Sequence, residues 1–305
     1  MGSSNTPYIA AIDWGTSSFR ARIVGINGNV IETLSNGDGI LVSKGHFSET
    51  LERNLASLDN YEIGLPIVMS GMIGSRNGWV EAPYTELPCS AQSLSLRLVR
   101  IEEYLPHQLY LIPGIKKTGD LSDVIRGEET EIIGAIEHLN LSRVMMVIPG
   151  THSKVVTIDN GEISDFKTFL TGEIFHALCT STILGSFGHN VDIRSEWFEK
   201  GVNNGLKTQH GGDLLNLLFT ARSRVLVSDL PESASASFIS GLLIGSEIGA
   251  TDYQNRPVWI MGNGKLPQAY QRALSIADIN CQIVPDNIVV AGTLSIFNRY
   301  KKEDL

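Results

Sequence analysis

Asp13-Trp14-Gly15-Thr16-Ser17-Ser18 sets a carboxylate two residues before a glycine and a run of hydroxyl side chains. Glycine lets the main chain approach an oxyanion, and the N–H groups and hydroxyls that follow can donate to phosphate oxygens. Asp13, at a strand end, suits a magnesium ion held directly or through water. The bland alternative is a tight hairpin capped by Asp13. A second turn, Gly150-Thr151-His152-Ser153-Lys154, carries similar donors, with Ile148 where the acid would stand and Lys154 adding positive charge. One turn with a carboxylate and one without would suit the clamping of a metal-bound polyphosphate. His152 beside Ser153 is not read as a nucleophile pair, because neighbours on a strand face opposite ways. Neither turn is a Walker loop, and no Gly-x-Gly-x-x-Gly opens a helix after a strand.

Three further stretches could complete a site. Glu128 and Glu129 stand at the start of a helical pattern. Acids there are favoured by the helix dipole, which is a sufficient reason for them. Either could instead orient a hydroxyl and accept its proton during phosphoryl transfer. Ser70-Gly71-Met72-Ile73-Gly74-Ser75-Arg76-Asn77-Gly78-Trp79 is a glycine-rich loop after a short strand. There Arg76 would pair a carboxylate and Trp79 would form a flat wall; the alternative is a surface loop with a buried indole. Gly71, Met72 and Arg126, the last just ahead of the acidic pair, are counted with this substrate side. Gly262-Asn263-Gly264 between a strand and a helix could approach an adenine or ribose, although such turns are common.

The elements that must position these residues occur twice. Residues 8–13, 19–26 and 30–34 read as three strands joined by the first turn and by Asn27-Gly28. Residues 144–148, 155–158 and 163–169 repeat the order through the second turn and Asn160-Gly161. Asn-Gly between apolar runs is a strong hairpin signal. The two starts lie about 136 residues apart, a spacing that suits one domain. Two copies are too few for a solenoid and predict two similar lobes, 1–140 and 141–305. Helical spacing falls at 47–58, 91–104, 128–139, 212–219, 235–248 and 267–277, with short strands at 67–69, 258–261 and 282–284. The expected class is α/β. No linker marks the boundary, so a shared interface with a cleft is expected.

Composition sets the bounds. The 305 residues are 42% hydrophobic and 19% charged, with a net charge of −9. No basic run supports nucleic-acid binding. The most apolar stretch, Phe238 to Ala250, contains Glu247 and is too short for a bilayer. Cys89, Cys179 and Cys281 are too few and too scattered for a disulfide framework or a zinc knuckle. The N-terminus lacks a secretory signal; its Met-Gly-x-x-x-Thr start matches a loose myristoylation pattern, otherwise a disordered tail. A cytoplasmic protein is expected, without nucleic-acid or membrane partners.

Taken together, these segments resemble the actin–hexokinase–heat-shock ATPase superfamily, with its duplicated ribonuclease H-like lobes and interlobe active site. More closely, the chain resembles the 2-dehydro-3-deoxygalactonokinase family. The resemblance rests on residues 12–18, 70–84, 124–134, 148–154, 169–173 and 240–245 and spans nearly the whole chain; Arg126-Gly127-Glu128-Glu129-Thr130 and Pro149-Gly150-Thr151-His152-Ser153-Lys154 are its specific parts. It implies transfer of the ATP γ-phosphate, with magnesium, to the 6-hydroxyl of 2-dehydro-3-deoxy-D-galactonate in galactonate breakdown. It puts the sugar acid and magnesium on the first lobe and the nucleotide on the second. Two features depart from related sugar kinases. Glu128 and Glu129 occupy the neighbourhood of the usual Gly-x-x-Asp base, and Gly262-Asn263-Gly264 replaces the adenosine-site glycine pair. Another small sugar or sugar acid is the alternative acceptor. A non-catalytic actin-like protein and a sugar-responsive repressor are the alternatives outside this enzyme class. The sequence carries no reading of oligomeric state.

Overall fold

The computed structural model describes residues 6–102, 107–187, 190–208 and 211–303. The start of the myristoylation pattern and Tyr104 lie outside them. In chain order the first elements are β1 (Pro7–Trp14), β2 (Phe19–Gly25), β3 (Val30–Asn36), α1 (Ile40–Ser43), α2 (Phe47–Leu55), β4 (Ile67–Ser70), β5 (Thr85–Glu86), α3 (Ala91–Ser95), β6 (Val99–Ile101), β7 (Leu109–Leu111), β8 (Ile115–Lys117), β9 (Asp123–Ile125) and α4 (Glu128–Leu139). There follow β10 (Arg143–Ile148), β11 (Ser153–Asp159), β12 (Glu162–Phe169), α5 (Thr171–Ser181), α6 (Glu196–Gly205), α7 (Gly211–Val227), α8 (Ser235–Gly249), β13 (Val258–Ile260), α9 (Lys265–Ile276), β14 (Cys281–Ile283) and α10 (Ile288–Glu303).

The chain divides into two units. One comprises Met1–Ser142, Asp159–Asp165 and Asn287–Leu305; the other comprises Arg143–Ile158 and Phe166–Asp286. The sequence reading assigned 141–305 to one lobe, whereas contacts group the C-terminal helix with the first unit. The reason is a helix seam: a Cβ on Gly134 of α4 would lie 2.1 Å from the Ile288 carbonyl oxygen, and one on Gly292 of α10 would lie 1.9 Å from that of Thr130. Only glycine allows two backbones to meet this closely.

One sheet, in the first unit, has the order β3-β2-β1-β4-β7-β6, and another has the order β12-β11-β10-β13-β14. Through the first four positions the two orders are the same, which is the duplication seen at the level of topology. In each sheet the first strand of its copy sits in the middle. That position explains the unbroken apolar runs of β1 and β10, whose centres are buried along their length. The edge strand β3 instead alternates between half-buried and exposed residues. At the second hairpin Asn160 and Gly161 both take positive φ, 53° and 75°, as a two-residue turn between twisted strands requires.

Trp14, Phe19, Leu51 and Ile67 anchor the core of the first unit. Phe198, Val202, Ile244 and Tyr270 anchor that of the second. Two expectations change. The helix expected at 91–104 stops at Ser95, because Val99–Ile101 pairs with β7 as an edge strand. A small sheet of order β5-β8-β9 was not anticipated, since strands of two or three residues carry no readable period. Among the described residues no helix is long and apolar enough to cross a membrane.

Candidate active site

β1 delivers Asp13 beside two neighbours, opposite Arg20 on β2 and Ser70 on β4. Its carboxylate lies 3.5 Å from the Arg20 guanidinium and its side chain is 27% exposed. Burial pushes the Asp13 carboxyl above its ordinary pKa; Arg20 and Arg22 oppose this and Glu128 adds to it. Glu131, one turn along α4, is pushed up to about 7, by burial first and then by Asp13 and Glu128. Asp13, Glu128 and Glu131 therefore share one electrostatic neighbourhood, partly balanced by Arg20 and Arg22.

Two glycines make that neighbourhood possible. Gly71 has φ 95° and ψ −157°, a conformation that side chains avoid. A Cβ there would lie 2.8 Å from the Trp14 carbonyl oxygen and 3.4 Å from Asp13 Oδ1. Gly127, immediately before α4, has φ 108° and would place a Cβ 3.2 Å from Gly71 Cα. The Ser70–Gly71 loop thus nests against the strand end, and the start of α4 nests against the loop.

The two candidate acids part company here. Glu129 is fully buried. It accepts the Gly127 N–H at 2.5 Å and the Thr130 hydroxyl at 3.0 Å. Burial, with Glu128 second, pushes its carboxyl up to about 8. Glu128 is half-buried, in the same field as Asp13.

In the glycine-rich loop a single 3₁₀ turn, Met72–Gly74, is followed by Arg76, which is exposed. Met72 and Trp79 are half-buried, and Trp79 stacks on Phe47 with ring centroids 6.4 Å apart. Arg126 lies over the Tyr84 ring at 4.3 Å and donates through Nη2 to the Ala82 carbonyl at 2.8 Å. Its Nη1 is buried without a hydrogen-bond partner among the described residues.

The matching turns differ in what their side chains do. In the first, Thr16 and Ser17 are exposed and Ser18 half-buried, and the Gly15 N–H bonds the Ser18 carbonyl at 2.9 Å. In the second, Thr151 and His152 are exposed, and His152 Nε2 lies 2.6 Å from Glu173. Ser153 turns inward to donate to Glu247 at 2.7 Å. Lys154 is also buried, and its ammonium donates to the His152 carbonyl at 2.9 Å. A Cβ on Gly172 would lie 2.4 Å from the Gly150 carbonyl oxygen, so the turn rests directly on the first residues of α5.

Beside it the second unit contains a cavity of about 610 Å³, lined among others by Thr171, Gly172, Asp192, Ser240, Lys265 and Gln268. Gly262, Asn263 and Gly264 lead into the helix that supplies Lys265 and Gln268; Gly262 and Gly264 take positive φ, and the Asn263 amide donates to Asp286.

The sequence model of the family described as DGOK, 2-keto-3-deoxy-galactonokinase, matches residues 13–296. The chain belongs to the 2-keto-3-deoxy-galactonokinase family. It is a kinase, a phosphotransferase with 2-keto-3-deoxy-galactonokinase activity in galactonate catabolism. It is 33% identical over 298 residues to the "Probable 2-dehydro-3-deoxygalactonokinase DgoK1" of Rhizobium meliloti (strain 1021), covering 94% of this chain and 95% of that one. It is 31% identical to the 2-dehydro-3-deoxygalactonokinase of Escherichia coli (strain K12), covering 94% and 96%. The "Crystal structure of a putative 2-dehydro-3-deoxygalactonokinase protein from Sinorhizobium meliloti" superposes with a TM-score of 0.85 at 32% identity, covering 96% of each chain. The activator of 2-hydroxyisocaproyl-CoA dehydratase from Clostridium difficile, with bound ADPNP, shares the fold at a TM-score of 0.50 and 13% identity, each chain covered to 97%.

Against this galactonokinase frame, sequence reasoning missed Glu131 with its arginine neighbours, the cavity wall from α8, and the bonds made by Glu247. Glu131 had a signal, since it lies on the same helix start as Glu128. Glu247 had one too, as a lone acid in the most apolar helix of the chain. Of the cavity residues, those in 169–173 and 240–245 had a signal in the family resemblance, but nothing local showed that four separate segments converge on one cavity.

Proposed function

We propose that this cytoplasmic kinase transfers the γ-phosphoryl group of ATP, with magnesium, to the 6-hydroxyl of 2-dehydro-3-deoxy-D-galactonate, with Glu128 as the base. The observation that carries this reading is the nested pair Gly71–Gly127, which brings Glu128 into the field of Asp13 while Glu129 is consumed by internal bonds. A half-buried carboxylate at the first turn of α4 can orient a hydroxyl and take its proton as the phosphoryl group arrives. The N–H groups of the same turn favour negative charge nearby. Arg126 supports the substrate side: its guanidinium plane is held by Tyr84 and Ala82, with Nη1 left unpartnered among the described residues. Arg76 is exposed and remains the candidate for the substrate carboxylate, with Gly71, Met72 and Trp79 as neighbouring wall.

The nucleotide is assigned to the second unit. Its nucleoside would fill the cavity between α5 and α9 next to Gly262–Gly264, and its phosphates would meet the main-chain donors and exposed side chains of Gly150, Thr151 and His152. Ser153 and Lys154 act from behind this turn, by shaping it. Within the first unit, the hydroxyls of Thr16, Ser17 and Ser18 lie in the turn that follows Asp13 and suit phosphate oxygens.

Asp13, at the end of β1, suits magnesium. Among the described residues no group of three His, Cys, Asp or Glu side chains is placed to hold a metal alone. That fits an ion bound by one or two carboxylates plus phosphate and water. When bound, magnesium would neutralise phosphate charge.

The test is an acceptor screen with ATP and magnesium on the wild type and on Glu128→Gln. The wild type should phosphorylate the galactonate-derived keto acid in preference to the gluconate-derived one. Glu128→Gln should lose roughly 10²–10⁴-fold in kcat, the usual worth of a positioned base. A Glu128→Gln enzyme of near-normal kcat would remove the base assignment.

A further inference from the structure

Glu247 is the one charged residue of α8, and it is 3% exposed. Three hydroxyls converge on it. Ser153 donates to Oε1 at 2.7 Å, while Thr171 and Tyr270 both donate to Oε2, at 2.5 and 2.6 Å. An ionised carboxylate is the side chain that accepts from three donors and offers none. The donors sit on different elements: Ser153 is the first residue of β11, Thr171 the first of α5, and Tyr270 lies on α9.

The placement of those elements gives the network its meaning. Ser153 follows Thr151 by two residues, and Thr171 precedes Gly172, on which Gly150 rests. The Glu173 N–H bonds the Thr151 carbonyl at 2.9 Å, so turn and helix start are one joined piece. The same carboxylate lies one helical turn beyond Leu243 and Ile244, which line the 610 Å³ cavity, and Ala269, beside Tyr270, lines it too. Glu247 therefore fastens together, from behind, the turn assigned to the phosphates and three walls of the cavity assigned to the nucleoside.

We infer that Glu247 is a positioning residue for the nucleotide. It sets the distance and angle between the Gly150–His152 turn and the cavity, acting through Ser153, Thr171 and Tyr270 without touching the ligand. This rests on the reading that turn and cavity hold ATP. Glu247→Gln keeps an acceptor for Thr171 and Tyr270 but turns the Ser153 contact from acceptor to donor, so Ser153 must reverse its hydroxyl. The perturbation is then directed at the turn with the core volume conserved.

The experiment uses the full chain and four substitutions: Glu247→Gln, Ser153→Ala, their double variant, and Leu266→Trp, which crowds the partly exposed cavity wall. The readouts are the calorimetric Kd for magnesium ADP, the separate KM values for ATP and for the sugar acid, and the thermal midpoint. Glu247→Gln should weaken ADP binding and raise the ATP KM by about tenfold, in keeping with one disturbed hydrogen bond to a charged group. The sugar-acid KM should stay within about twofold. Ser153→Ala should shift the same two quantities in the same direction. The double variant should be no worse than the stronger single one, since both act through one contact. A lowered thermal midpoint with unchanged ADP Kd and ATP KM would overturn the inference and leave Glu247 a core residue. Equal rises in both KM values would also overturn it. If Leu266→Trp leaves ADP affinity unchanged, the cavity assignment itself fails and the inference with it; if Leu266→Trp abolishes binding while Glu247→Gln does nothing, only the inference fails.

Discussion

Replacing Gly127 by alanine tests the geometry on which the base assignment depends. The residue has φ 108° and ψ −51°, outside the regions open to a side chain, and holding a non-glycine residue in such a region costs about 1–3 kcal/mol. The new Cβ would stand 3.2 Å from Gly71 Cα, closer than the roughly 3.5–4.0 Å at which carbon atoms settle. A few tenths of an ångström must therefore be taken up by α4 or by the loop. Alanine also restricts the unfolded chain, which returns about 0.4–1 kcal/mol. The net loss is about 1–2 kcal/mol, equivalent to a midpoint lower by roughly 2–8 °C for a domain of this size. The functional loss should exceed what stability alone would give. Displacing Glu128 at the start of α4 spoils an aligned reaction geometry, for which an error approaching 1 Å is worth up to about 100-fold. Differential scanning calorimetry and initial-rate kinetics at a temperature well below the midpoint separate the two effects. The expected result is a reduced kcat with little change in the ATP KM. An alanine variant with the midpoint and kcat of the wild type would refute the argument from both the backbone angle and the contact.

Three further outcomes follow from other parts of the structure. Glu129 has its carboxyl raised from 4.5 to about 8 in the folded chain, so the native state binds the extra proton and stability falls as pH rises through that interval. Glu129→Gln should flatten this fall, measured as midpoints at either end of the window; an unchanged slope would show that Glu129 does not carry it. Asp13→Asn should lower kcat by about 10² or more and raise the magnesium concentration needed for half-maximal rate, and a variant with unaltered magnesium dependence would take Asp13 out of the metal's surroundings. Gly241→Ala would put a Cβ 2.2 Å from the Phe198 carbonyl oxygen and should destabilise by about 1–3 kcal/mol as an overpacked seam; urea titration with no shift in midpoint would contradict it.

The parts of the fold legible in the sequence were those whose signal is local. Two copies of strand, Gly-Thr turn, strand, Asn-Gly turn, strand can be read directly, because each turn residue and each apolar run reports on its own few neighbours. Glu128 and Asp13 were legible as candidates for the same reason. Their distinction from Glu129 was not, since both glutamates occupy the first turn of α4, and only the tertiary approach of Gly127 to Gly71 decides which one is turned inward. Ser153 and Lys154 show the same limit. Their types suggested donors to phosphate, but the strand's facing sends Ser153 to a carboxylate that lies 94 residues away in the chain. The grouping of α10 with the first unit depended on two glycines, Gly134 and Gly292, whose pairing no periodicity reveals. The cavity beside α5 is further removed still, built by four segments that meet only after folding.

The seam between α6 and α8 has a consequence for how this enzyme can vary. Cβ atoms added to Gly201, Gly205, Gly241 or Gly245 would each fall 2.2–2.4 Å from a carbonyl oxygen of the opposing helix. With main chain lying on main chain, no rotamer change can absorb a shift, so the pair behaves as a single rigid slab. Ser240, Leu243, Ile244 and Glu247 all project from that slab. It serves as a fixed baseline: chemistry on the ligand-facing surface can be exchanged residue by residue, whereas an added methyl group at the seam would move every one of those side chains together.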